Sequence, residues 1–82
     1  MDREIGKVIH WYDHASVAVV KLAHPLKVGD RIKVSKGDHE FEEEVGSMQV
    51  NHEDITSGKA GEEVAIKLSQ RTKEGAVISI VE

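Results

Sequence analysis

No cysteine occurs in the chain, which removes disulfides, thiolate metal sites and thiol redox chemistry together. Proline occurs once, and the aromatic supply is one Trp, one Tyr and one Phe, too few for an extended base-stacking platform. No apolar run is long enough to cross a bilayer. The opening Met1-Asp2-Arg3-Glu4 is polar where a leader would be basic and then apolar, so the expected location is the cytoplasm, without a membrane partner. A basic surplus is also lacking. Eleven Lys and Arg stand against 15 Asp and Glu, a formal net charge of -4, which argues against a general phosphate-tracking surface and leaves room only for a small local basic patch.

What is present is interspersed charge, 32% of the residues, with short alternating apolar runs separated by seven glycines. Eighty-two residues bury only about 60% of the surface exposed by the unfolded chain, so one economical core and one domain, 1–82, are expected. With Met1 at one end and a strand reaching Glu82 at the other, the chain reads as complete and free-standing.

The alternation predicts six strands. The first covers residues 4–12, where Ile5, Ile9 and Trp11 compete with Val8 and Tyr12 for the inward phase. The second covers 15–22, joined to the first by a tight turn at Asp13-His14. After Pro25 and Gly29, a third strand carries Ile32 and Val34. A long fourth, 39–51, changes phase between Phe41 and Val45 on one side and Met48 and Val50 on the other, which requires a bulge or bend at Gly46. A helical turn is compatible with residues 52–57. The fifth strand carries Val64, Ile66 and Leu68, and the sixth spans 76–81 with Ile80 inward. Strands without a covering helix either stack as two sheets or close on themselves, so the expected fold is all-β, a single closed six-stranded antiparallel barrel.

Chemistry is sparse. Of the five histidines, His10 and His14 have i, i+4 spacing but straddle a turn instead of sharing a helix face, and no cysteine completes a metal set with His24, His39 or His52. Glu40, Glu42, Glu43 and Glu44 alternate across a strand and read as a solvated face, except that Glu43 shares the inward phase of Phe41 and Val45. There is no Gly-x-Ser-x-Gly elbow and no Gly-x-x-x-x-Gly-Lys-Ser/Thr loop; Gly58-Lys59-Ala60-Gly61 is too short and precedes a strand. No catalytic residue, metal ligand or nucleotide cofactor is expected, and the chain reads as a non-enzyme. Trp11 and Tyr12 point to opposite sides of their strand, so one is core and one exposed; an exposed Tyr12 beside Lys7 and Lys21 would suit a base and its phosphate.

The order of these pieces carries a resemblance. Lys27-Val28-Gly29-Asp30, the strand ending Val45-Gly46-Ser47-Met48-Gln49-Val50, and Ala60-Gly61-Glu62-Glu63-Val64 resemble the second domain of translational GTPases, the elongation factor Tu domain 2 superfamily. The likeness runs from Ile5 to Val81 and implies a β-barrel that contacts tRNA or the ribosome. In that family the Met of the fourth strand follows an acidic residue that helps form the pocket for the terminal adenosine of tRNA, whereas here Ser47 stands before Met48. A related barrel forms the carboxy-terminal module of collagenase-like peptidases associated with RNA modification.

Three functions follow as expectations. The chain is a non-catalytic binding module contacting RNA or the ribosome; or a protein–protein adaptor, the detached accessory domain of a larger RNA-modifying or peptidase-like enzyme; or an enzyme whose site the sequence does not reveal. The expected docking face is built from Ser47 and Gln49, outward on a strand whose Met48 and Val50 face the core, with Tyr12 and His14 of the first hairpin as neighbours.

Overall fold

A computed structural model describes residues 2–81. Ten strands follow in order: β1 (Asp2–Tyr12), β2 (Val17–Leu22), β3 (Leu26–Lys27), β4 (Arg31–Lys36), β5 (His39–Glu44), β6 (Met48–Val50), β7 (Glu53–Ile55), β8 (Ser57–Gly58), β9 (Glu63–Lys67) and β10 (Val77–Val81). Among the described residues there is no helix. Eight strands form one antiparallel sheet in the order β5-β4-β10-β1-β2-β9-β6-β7, while β3 and β8 pair separately. The fold is all-β, as the alternation requires.

One face of that sheet supplies the core. Ala18, Val20 and Leu22 of β2, Ile32 and Val34 of β4, Val64 and Ile66 of β9 and Ile78 of β10 gather in one buried cluster with Ile5, Val8, Phe41, Val45, Met48 and Leu68. No helix covers them, so the sheet must curl until its own inward side chains meet. Leu68 is 3% exposed. Val50 and Ile80, expected in the core, are only partly buried and pack against it. Val50 lies next to a hairpin turn, and Ile80 is near the end of β10, where fewer neighbours cover it.

Strand count and closure differ from the expected closed six-stranded barrel. The predicted fourth strand is divided: β5 pairs with β4, and β6 leaves to pair with β9 and β7. The division falls at residues 45–47, where Val45 is the last inward residue of one phase and Met48 the first of the other. The phase change at Gly46 is thus a change of partner. Residues 53–55 form β7, not a helical turn, because Asn51 and His52 both have positive φ (52° and 66°) and close a two-residue hairpin of type I′. Among the described residues no strand pairing joins β5 to β7, the two ends of the sheet order.

The ambiguous phase of β1 has a mechanical cause. Its register shifts between Glu4 and Gly6 against β10, and between Val8 and His10 against β2. Each bulge adds a residue and inverts the alternation beyond it. Gly6 sits between them, where a β-carbon would lie 2.6 Å from the Lys21 carbonyl oxygen, so only glycine allows β1 to approach β2 there. The β1–β2 loop is longer than a tight turn and spans residues 13–16, with Ser16 at φ 55°.

The two most family-like segments have one local design. In Lys27-Val28-Gly29-Asp30, the Asp30 N–H donates to the Lys27 carbonyl at 3.1 Å, and the Asp30 carboxylate accepts from the Lys27 N–H at 3.0 Å. In Lys59-Ala60-Gly61-Glu62 the corresponding distances are 3.1 and 2.7 Å. Gly29 and Gly61 have φ of 98° and 91°, while the residues before them do not have positive φ, which defines type II turns. Leu26 and Gly58, each immediately before its turn, are paired across β3 and β8. The motifs are thus two halves of one closure.

Candidate functional site

The outer face of β1, β2, β9, β6 and β7 carries a continuous row of directly opposed residues: His10, Val19, Ala65, Gln49 and Asp54. Strand pairing at alternate positions produces it: Val19, Ala65 and Gln49 adjoin buried residues on their own strands, and His10 and Asp54 each adjoin a partly buried one. Its centre, Val19 and Ala65, is half-buried and uncharged. At one end the His10 and Tyr12 rings pack with centroids 4.4 Å apart and planes at 58°, and at the other the Gln49 Nε2 donates to Asp54 Oδ1 at 2.9 Å. Tyr12, 50% exposed, joins Val19, Gln49, Asn51, His52, Glu63 and Ala65 around a groove of about 290 Å³.

Tyr12 and Gln49, singled out from sequence, therefore share one surface. Ser47 does not join them. It is exposed at the break between β5 and β6, in a separate depression with Glu43, Glu44, Lys67 and Ser69. His14 lies in the β1–β2 loop beside Trp11, Asp13 and Arg71. Trp11 is the half-buried aromatic, packed against the core, and its indole N–H donates to Asp13 Oδ1 at 2.6 Å. Lys7 and Lys21 face each other across β1 and β2, on the far side of the Val8/His10 bulge from Tyr12. The bulge keeps Lys7, His10 and Tyr12 on one face, with the lysine pair two outward pairs along from Tyr12 and Val17.

The groove contains no lysine or arginine, and its one acid is Glu63. Its half-buried apolar centre with a polar rim suits a protein surface better than a phosphate backbone. Among the described residues no three His, Asp or Glu side chains converge as metal ligands. His52 and Asn51, outside the docking face expected from sequence, line the groove because the type I′ turn swings them beside Gln49. The visible signal was Asn51, the residue most tolerant of left-handed conformation after glycine.

No protein-family model matches the chain. It is 45% identical over 73 residues to an uncharacterized protease of Methanocaldococcus jannaschii; the match takes in 88% of this chain and 18% of the relative, so the chain spans under a fifth of that protein. Two solved structures share the fold, both of the C-terminal domain of a putative U32 peptidase from Geobacillus thermoleovorans. One superposes with a TM-score of 0.90 at 11% identity, covering 98% of this chain and 93% of that one. The other, a selenomethionine variant, gives 0.86 at 11% identity, covering 93% and 96%. Of the two resemblances drawn from sequence, these comparisons support the peptidase module and not the elongation factor domain. The chain is a small all-β domain resembling the C-terminal domain of U32 peptidases.

Proposed function

We propose that the chain serves as the accessory β domain of a U32-peptidase-type protein, offering a docking surface to a larger catalytic body and contributing no reactive group itself. The observation that carries this reading is the 45% identity, over 88% of the chain, to a protease of which it spans only 18%. The groove of Tyr12, Val19, Gln49 and Ala65 is the face assigned to the larger body, because its apolar centre gains by exclusion of water while Gln49, Asn51 and His52 supply hydrogen bonds at the rim. Contact with tRNA or the ribosome through Ser47, Gln49, Tyr12 and His14 has less behind it, since those residues are divided among three depressions and the largest share lacks a cation.

Calorimetric titration of the chain into a U32-peptidase-type protein lacking its C-terminal β domain tests the proposal. A saturable complex at moderate salt is expected, weakened by Ala65→Arg and by Tyr12→Ala in variants that melt like the parent. No complex, or equal binding by both variants, would remove this assignment.

A further inference from the structure

We propose that the cleft beside the β4–β5 turn is an oxyanion site that takes a phosphate, free or carried by a nucleotide. Two separate stretches build it: Lys36 and His39 flank the turn, and Gln70, Arg71, Thr72 and Lys73 lie in the segment leading to β10. The cleft encloses about 280 Å³. Three fixed cations and an imidazole meet there in a chain of formal net charge -4, and no carboxylate among the described residues lines it. Two neighbouring acids are engaged at its margins, Glu74 Oε2 at 3.2 Å from His10 Nδ1 and Asp13 Oδ1, which accepts from Trp11, at 3.6 Å from Arg71 Nε; a third, Asp38, lies in the turn itself and outside the lining. Grouped like charges repel one another, and an anion seated among them reverses the sign of that interaction.

Thr72 adds an unpaired hydroxyl to this lining. It is 4% exposed, and its Oγ1 is buried without a hydrogen-bond partner among the described residues. A buried hydroxyl left unpaired is destabilising, so such groups are uncommon and point to a missing partner. Beside it the two ammonium groups and the guanidinium only donate, and the Gln70 amide donates through its Nε2; a hydroxyl added to them completes a set suited to a multi-oxygen acceptor such as phosphate. Lys36 is seated by the backbone: a β-carbon on Gly75 would lie 3.0 Å from its Nζ, and Gly75, at φ 89°, leaves that space free. The His39 ring, 5.9 Å from Phe41 at a tilt of 58°, adds a planar face beside the donors. The phosphate is either free or part of a nucleotide, and the chemistry recognised is the same.

Nuclear magnetic resonance titration of the labelled chain with inorganic phosphate, adenosine monophosphate, a six-nucleotide single-stranded RNA and, as control, adenosine separates these cases. At low salt, saturable shifts are expected for amides of residues 36–39 and 70–75 with phosphate-bearing probes and not with adenosine. Saturation by inorganic phosphate assigns the free anion; saturation only by the nucleotide or the RNA assigns the nucleotide as source. Lys36→Met and Thr72→Val should each weaken binding about tenfold, the effect of losing one charge-assisted or buried hydrogen bond. Thr72→Val should at the same time melt no lower than the parent, so a lost site cannot be ascribed to lost folding. Absence of shifts with every phosphate-bearing probe, equal shifts with adenosine, or unchanged affinity in both variants would overturn the proposal. The outcome is independent of whether the chain docks on a peptidase body.

Discussion

The carboxylate of Glu43 accepts hydrogen bonds from the backbone N–H and the hydroxyl of Ser69, each at 2.9 Å, across 26 positions of sequence. Glu43 lies on β5, one end of the sheet order, and Ser69 follows β9, near the other end. A side chain therefore bridges a seam that no backbone ladder spans among the described residues. The inward phase of Glu43, anomalous beside Phe41 and Val45, is what aims it there.

Glu43→Ala should destabilise the domain by about 1 to 2 kcal/mol, the value of charged hydrogen bonds reduced for partial exposure. Glu43→Gln, which keeps one acceptor oxygen, should recover part of that loss. Urea unfolding of the two variants provides the comparison, and equal stability of Glu43→Ala and the parent would show that the seam is held by packing alone.

The type II turn at Gly29 gives a second expectation. Nothing lies within 4 Å of a β-carbon built there, so a substitution meets no steric neighbour and is penalised by its φ of 98°. Gly29→Val should therefore cost more than the roughly 1 kcal/mol typical of conformational entropy changes, because a β-branched residue is strained at positive φ, and Gly29→Asn should cost less than Gly29→Val. Thermal melting that ranks valine at or above asparagine would contradict the turn assignment.

At the β6–β7 hairpin the expected sign is opposite. His52 holds φ 66° behind Asn51 at 52°, the left-handed pair that Asn-Gly satisfies with least strain. His52→Gly should raise stability by about 0.5 to 1 kcal/mol, the strain relieved exceeding the entropy that glycine adds to the unfolded chain. Chemical denaturation measures it; a loss of stability would mean that the His52 side chain contributes packing along the groove.

The sequence was legible where one periodicity ran unbroken. Ala18, Val20 and Leu22, Ile32 and Val34, and Val64, Ile66 and Leu68 are buried as their alternation requires. Gly29 and Gly61 likewise have the positive φ that their place between strands called for. It was illegible where an extra residue or a distant partner decided the outcome. The bulges after Glu4 and Val8 hid the phase of β1, and β3 and β8, two residues each, are too short to show alternation. Ser79 is buried in an outward row because Glu4 and Lys33 lie opposite it on both sides, a fact of pairing and not of its own polarity. Gln49 was readable as an outward residue and Tyr12 only as one of two candidates for the exposed aromatic, and their meeting depended on β9 lying between β2 and β6. The basic cleft left no local signal, since residues 36–39 and 70–73 converge only in the folded sheet.

The central claim is that the outer face around Tyr12 and Gln49 docks on a U32-peptidase-type body. Its most direct test is cross-saturation from an unlabelled peptidase body lacking its C-terminal β domain to the isotopically labelled chain. The account predicts attenuation centred on the amides of residues 10–12, 19, 49–52 and 63–65, with residues 40–44 on β5 unaffected; attenuation centred on β5, or none in the presence of saturating partner, would contradict it.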